Sequence, residues 1–159
     1  MSVARNMVVA AGLLSAPIAT TIDKQPEPVR RPEADERLVK LQRFFARENC
    51  PLRNSSADFL EAADRYELDW RLLPSISLLE SGGGKAFRNN NVLGWKSGNR
   101  RFRSVRAGIH EVASRLAKSD LYRNKNVDQI LYTYNPHPEY ITRVKWVMRQ
   151  IDSSGARLN

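Results

Sequence analysis

The residue in this chain most suited to chemistry is Glu80. It stands in the stretch SISLLESGGGKAFRNNNVLGW, residues 75–95, where an apolar helical run ends and Ser81 and three successive glycines follow. At about 100° per residue, Leu72, Leu73, Ile76 and Leu79 fall on one side of that helix, and Glu80 falls within the same stripe. The sequence thus aims a carboxylate toward the core side. It also sets it at a helix C-terminus, whose partial negative charge disfavours an ionised glutamate by about 0.3–1 kcal/mol. Desolvation keeps the proton on such a group to higher pH. A carboxylic acid still protonated near neutrality donates to a leaving oxygen, as cleavage of a glycosidic bond requires. The plainer alternative is a solvated glutamate at a frayed helix end, with Gly82 as an ordinary C-cap.

The surrounding charges cut the other way. Between Glu80 and Glu111 there is no acid, while Lys85, Arg88, Lys96, Arg100, Arg101, Arg103 and Arg106 intervene. Cations close to Glu80 would lower its pKa, so the acid role needs burial to outweigh them or needs them to point elsewhere. A second carboxylate is also lacking nearby. Glu111, Asp120, Asp128 and Glu139 remain, all in helical or capping contexts that suit solvated surface. His110 and His137 have no spacing that suggests a metal site or a triad, and Cys50, the only cysteine, reads as a buried structural thiol.

The elements that must position Glu80 are helical. Leu38, Leu41, Phe44 and Phe45 recur at helical spacing over residues 35–47. Ser55 with Asp58 makes a start resembling a capping box for a helix presenting Phe59, Leu60, Ala63 and Tyr66. Asp69 is an N-cap candidate for the Glu80 helix, with Pro74 tolerable only near its first turn. Residues 82–103 read as loop or short hairpin. Ser104 caps a helix carrying Ile109, Val112, Ala113 and Leu116, and two more helices follow over 127–132 and 139–151. Strand signals are weak, so the expected class is mainly α.

Composition bounds the rest. A chain of 159 residues with 26 Lys and Arg against 17 Asp and Glu carries a net charge of +9, which implies an anionic partner or surface: nucleic acid, membrane or an acidic polymer. Arg5, then an apolar run from Met7 to Ala19, fits a secretory leader or N-terminal anchor over residues 1–20 and so an exported, periplasmic or wall-associated protein. Residues 21–34, with Pro26, Pro28 and Pro32 among charges, read as a linker. One domain over 35–152 and a tail over 153–159 complete the layout.

LLESGGGK followed by NNNVLGWK resembles the pattern of bacterial endo-β-N-acetylglucosaminidases of the lysozyme-like superfamily. The likeness runs from AADRYELDWRLLPSISLLES to the late aromatic segment LYTYNPHPEYITRV and ends near Ile151. It implies a lysozyme-like fold, peptidoglycan glycan strands as substrate, no metal or organic cofactor, and a monomer, a layout compatible with service to a larger cell-envelope machine. Glu80 matches the family's general acid. Tyr134 matches a cleft tyrosine that orients the N-acetyl group or a water, or else packs between the last two helices. Ser81, Asn90, Asn91 and Trp95 fall at the substrate; for the asparagines the alternative is turn chemistry, and for Trp95 core packing. With no second acid in place, the implied mechanism is a single glutamate assisted by the substrate's own N-acetyl group, ending in hydrolysis or in a lytic transglycosylase product. The rivals are an inactive wall-binding protein of the same fold and a helix-turn-helix DNA binder, the latter weakened because its second helix is nearly all apolar where base-reading side chains are needed.

Overall fold

Asp35 accepts a hydrogen bond from the Arg37 backbone N–H and starts α1 (Glu36–Arg47). It also opens the part of the protein, residues 35–155, that this computed structural model describes. The expected leader over 1–20, the linker over 21–34 and residues 156–159 of the tail lie outside the described residues. After a 3-10 turn at Pro51–Ser55 come α2 (Ser56–Arg65), α3 (Leu72–Ser81), α4 (Val105–Lys118), α5 (Val127–Tyr134) and α6 (Pro138–Ser153). The protein is therefore mainly α, with no strand among the described residues. The stretch from Gly82 to Arg103 forms no hairpin and crosses the surface as irregular turns.

The core is built around α3. Leu72, Leu73, Pro74, Ser75, Ile76 and Ser77 are all buried, so this helix is covered all round through its first turns. It packs against α6 and α2, while α1 packs against α6 and α2, α2 against α4, and α5 against α6. Phe44, Phe45 and Phe59 meet in tilted pairs at ring separations of 5.8 and 5.9 Å and fill the α1–α2 side. Each fully buried side chain of this size contributes about 1.5–3 kcal/mol. Beyond Ser77 α3 emerges, with Leu78 and Leu79 half-buried and Glu80 exposed.

Several local expectations change in the structure. Ser55 makes no capping hydrogen bond, because it closes the preceding 3-10 turn and its backbone is already partly helical (φ −97°, ψ 9°). Its expected partner Asp58 binds Arg106 instead, which also reaches Glu61 and so ties α4 to α2. Asp69 is not the N-cap of α3; that position is Arg71. Asp69 sits just ahead, accepting from the Arg71 backbone N–H at 2.9 Å and from its guanidinium at 2.7 and 2.9 Å. Ser104 does cap α4, accepting from Ala107 N–H. At α5 the cap is a reciprocal box between Asn126 and Gln129.

The loop after α3 is fixed to the core at both ends. Gly82 ends the helix in left-handed conformation (φ 62°). At Gly83 (φ 67°) a Cβ would lie 2.7 Å from the Cys50 Cβ, so only glycine lets the loop lie against that buried thiol. Further on, Val92 and Leu93 insert into the core, each only 1% exposed. The loop is irregular but anchored.

Candidate active site

A cleft of about 430 Å³ opens at the C-terminal end of α3. Glu80 forms part of its wall, with Trp95, Tyr122, Tyr134, Lys96 and Asn135 around it. Glu80 is exposed as a residue, yet its carboxyl group is closely held. Oε1 accepts a hydrogen bond from the Tyr140 hydroxyl at 2.9 Å. Oε2 lies against Gly94: a Cβ there would come within 2.8 Å of the Glu80 Cδ and closer still to Oε2. Gly94 has φ 68°. The glycine of VLGW thus provides both a left-handed turn and room for the carboxylate.

Burial raises the Glu80 pKa above its ordinary 4.5, and the Tyr140 hydrogen bond only partly opposes it. No cation contributes, although seven lie in the following sequence. The structure shows where most of them go. Lys85 donates to the Glu48 carbonyl at 2.8 Å, Arg88 to Asn99 at 2.7 Å and Arg100 to Glu111 at 2.8 Å, while Arg106 holds Asp58 and Glu61. Burial prevails at Glu80 because these charges are held elsewhere.

An aromatic stack backs the cleft. Tyr134 lies nearly parallel to Tyr140, with ring centroids 6.4 Å apart, and meets Trp95 at 5.6 Å; Trp95 in turn meets Tyr122 at 6.0 Å. The Tyr134 hydroxyl donates to the Leu93 carbonyl, so its ring, and not its hydroxyl, faces the cleft. Burial, followed by the Glu80 charge, pushes the phenols of Tyr134 and Tyr140 above their ordinary value, so both stay protonated donors.

The remaining expected site residues divide. Trp95 is half-buried and lines the cleft, serving packing and wall together. Asn91 is buried; its amide donates to the Trp95 and Arg100 carbonyls and its oxygen accepts from Trp95 N–H. Asn90 (φ 56°) donates to the Phe102 carbonyl. Both asparagines therefore brace the loop, and neither lines the cleft. Ser81, expected at the substrate, is buried beneath it: its hydroxyl lies 2.9 and 2.8 Å from the Ser77 and Val92 carbonyls and accepts from Gly84 N–H. It fastens the loop to the end of α3.

No family model, curated protein or solved structure matches this chain. Function is therefore read from the cleft alone. Among the described residues Glu80 is its only lining carboxylate. Glu111 is paired with Arg100, Asp120 with Arg123 and Asp128 with Lys145, and Glu139 is exposed at the start of α6. Among the described residues no three His, Cys, Asp or Glu side chains converge as metal ligands do, and no helix is long and apolar enough to cross a membrane. His110 packs against Tyr66 at a steep ring angle, both nitrogens buried, and does not line the cleft.

Sequence reasoning missed Tyr140, which touches Glu80 directly, and the cleft edge at Leu121, which is 60% exposed. The available signal was YNPHPEY. Two prolines between the tyrosines end α5 and start α6 (Pro138 at its first turn), bringing both rings to one place.

Proposed function

We propose that this protein is a peptidoglycan-cleaving glycosidase of lysozyme-like type, with Glu80 as its single general acid. The observation that carries the reading is the setting of Glu80: a carboxyl group in a cleft wall, desolvated, in no ion pair among the described residues and oriented by a tyrosine. With Oε1 taken by the Tyr140 hydroxyl, the proton resides on Oε2. Transfer of that proton to the glycosidic oxygen breaks the bond to the anomeric carbon. The substrate's N-acetyl oxygen attacks that carbon from the opposite face, which explains why one carboxylate suffices. The ionised Glu80 then takes a proton from water, giving hydrolysis, or from the sugar's 6-hydroxyl, giving a 1,6-anhydro product.

The aromatic wall suits a pyranose ring, whose apolar face stacks on such side chains. The positive charge of the chain suits a polymer bearing carboxylates and phosphates. An exported location, as the apolar N-terminal run suggests, would bring enzyme and wall together.

Peptidoglycan zymography tests the assignment. Wild-type protein is expected to clear the gel and Glu80→Gln to lose about 10²–10⁴-fold in rate. Equal clearing by both would remove Glu80 from the chemistry; clearing by neither would leave a wall-binding protein. Mass spectrometry of the released fragments separates hydrolysis from transglycosylation, since the products differ by one water.

A further inference from the structure

The lip of the cleft is strained. Gly94, Lys96, Ser97 and Gly98 all have positive φ (68°, 53°, 53° and 76°), and two of them are not glycine. Such backbone costs on the order of 1 kcal/mol or more at each non-glycine residue and persists only where its surroundings impose it. Here they do. Asn91 grips Trp95 from both sides through its amide and its oxygen, Gly98 N–H donates to the Gly94 carbonyl at 2.9 Å, and Asn99 N–H to the Lys96 carbonyl at 3.0 Å. Lys96 is thus held in place by a rigid turn.

Lys96 also differs from its neighbours in charge pairing. Lys85, Arg88, Arg100 and Arg106 all have protein partners, but the Lys96 ammonium makes no ion pair or hydrogen bond among the described residues. Arg101 and Arg103 are likewise unpaired among the described residues, but they do not line the cleft; Lys96 does, and with Glu80 it supplies the only charged side chains that described residues place there. It leaves the acid undisturbed, since no cation figures in the Glu80 titration. One cleft therefore combines an aromatic wall, a proton donor and, apart from that donor, an unsatisfied cation on a braced turn.

We propose that Lys96 is a specificity residue that pairs with a carboxylate carried by the sugar chain, so that the cleft selects N-acetylated glycans with an acidic substituent over neutral ones. This rests on the glycan-cleaving reading above and adds to it the charge of the preferred substrate.

The test is binding to the Glu80→Gln protein, which removes turnover. Two probes differ only in charge: a tetrasaccharide of alternating N-acetylglucosamine and N-acetylmuramic acid with free carboxylates, and its methyl ester. Calorimetry at low salt is expected to show about fivefold tighter binding of the free acid, the upper range for a solvent-exposed ion pair. High salt should erode that preference. Adding Lys96→Gly removes the charge while relieving the backbone, and should bring the two affinities together; adding Lys96→Arg should keep them apart. Equal affinity of both probes for the parent protein would overturn the role of Lys96 and leave the glycosidase intact. A preference surviving Lys96→Gly would overturn it too. Binding of neither probe would also overturn it, and wild-type gel clearing then decides separately whether the glycosidase reading stands.

Discussion

Asp69 and Glu80 stand at opposite ends of α3, both partly buried, and they hold protons in opposite ways. At Asp69 burial works against ionisation, but two hydrogen bonds from the Arg71 guanidinium, one from its backbone N–H and its charge together keep the carboxyl below its ordinary 3.8. The N-terminal end of the helix favours negative charge as well. At Glu80 burial is opposed only by one phenol hydroxyl, and the helix C-terminus is unfavourable, so the proton is kept to higher pH than usual. Burial opposes ionisation at both sites. The partner decides: a charged fork makes a structural anion, a neutral donor leaves an acid.

The largest effect is expected where the Glu80 pocket is closed. Gly94→Ala would drive a Cβ into the carboxylate at a left-handed position, displacing the acid by the better part of an ångström. Misplacement on that scale costs about 10²-fold in rate, and the strained backbone about 1–2 kcal/mol in stability. Wall clearing together with thermal unfolding checks both. Full activity with an unchanged Glu80 titration would show that the glycine serves the turn alone.

Removing the fork at the other end probes the comparison directly. Arg71→Leu leaves Asp69 half-buried without its cation and is expected to cost about 1–3 kcal/mol at neutral pH. The sign follows from the depressed pKa. The stability that Asp69 contributes is present above about pH 3.8 and lost as pH falls through its lower folded value. Wild type and variant should therefore differ most near neutrality and converge in acid, as unfolding at pH 7 and pH 3 would show. A gap that stays constant with pH would mean that Arg71 acts by packing.

Much of this arrangement is legible in the sequence, and the illegible part has a physical cause. Helical spacing singles out Glu80 on α3, although the residue as a whole stays exposed at the cleft wall, and Ser104 announces its helix because capping depends on a neighbour three residues away. Ser55 misleads for the same reason: its pattern is right, but the 3-10 turn from Pro51 runs straight into α2 and leaves no extended residue to cap it. Tyr140 is signalled only by the prolines of YNPHPEY, and its link to Glu80 by nothing local. It meets Glu80 across 60 residues, through the docking of α6 on α3, and no local spacing encodes that. Ser81, Asn90 and Asn91 look like sugar ligands because polar residues near an acid suit either role. Only the fold shows their polar atoms turned toward backbone carbonyls.

Smaller effects sharpen the account of Glu80 itself. Tyr140→Phe removes the one interaction that favours the ionised form, so the Glu80 pKa should rise further and the alkaline limb of activity should move to higher pH. A pH–rate profile checks this; movement toward lower pH would mean that the hydroxyl stabilises the protonated acid instead.

The smallest expected effect is a gain in stability on removing the acid. Because the folded state binds the Glu80 proton more tightly than the unfolded chain, the wild-type protein loses stability as pH rises from about 4.5 through the higher folded pKa. Below 4.5 both states are protonated and the penalty vanishes. Glutamine keeps an oxygen for Tyr140 and never titrates, so Glu80→Gln should gain on wild type between pH 4 and pH 7, read as the difference in melting temperature at each. A gain of this kind, alongside lost activity, is what a site held away from its own stability optimum should show. If the difference instead shrank toward neutrality, the Glu80 carboxylate would be favoured by the fold, as at Asp69, and the contrast between the two ends of α3 would fail.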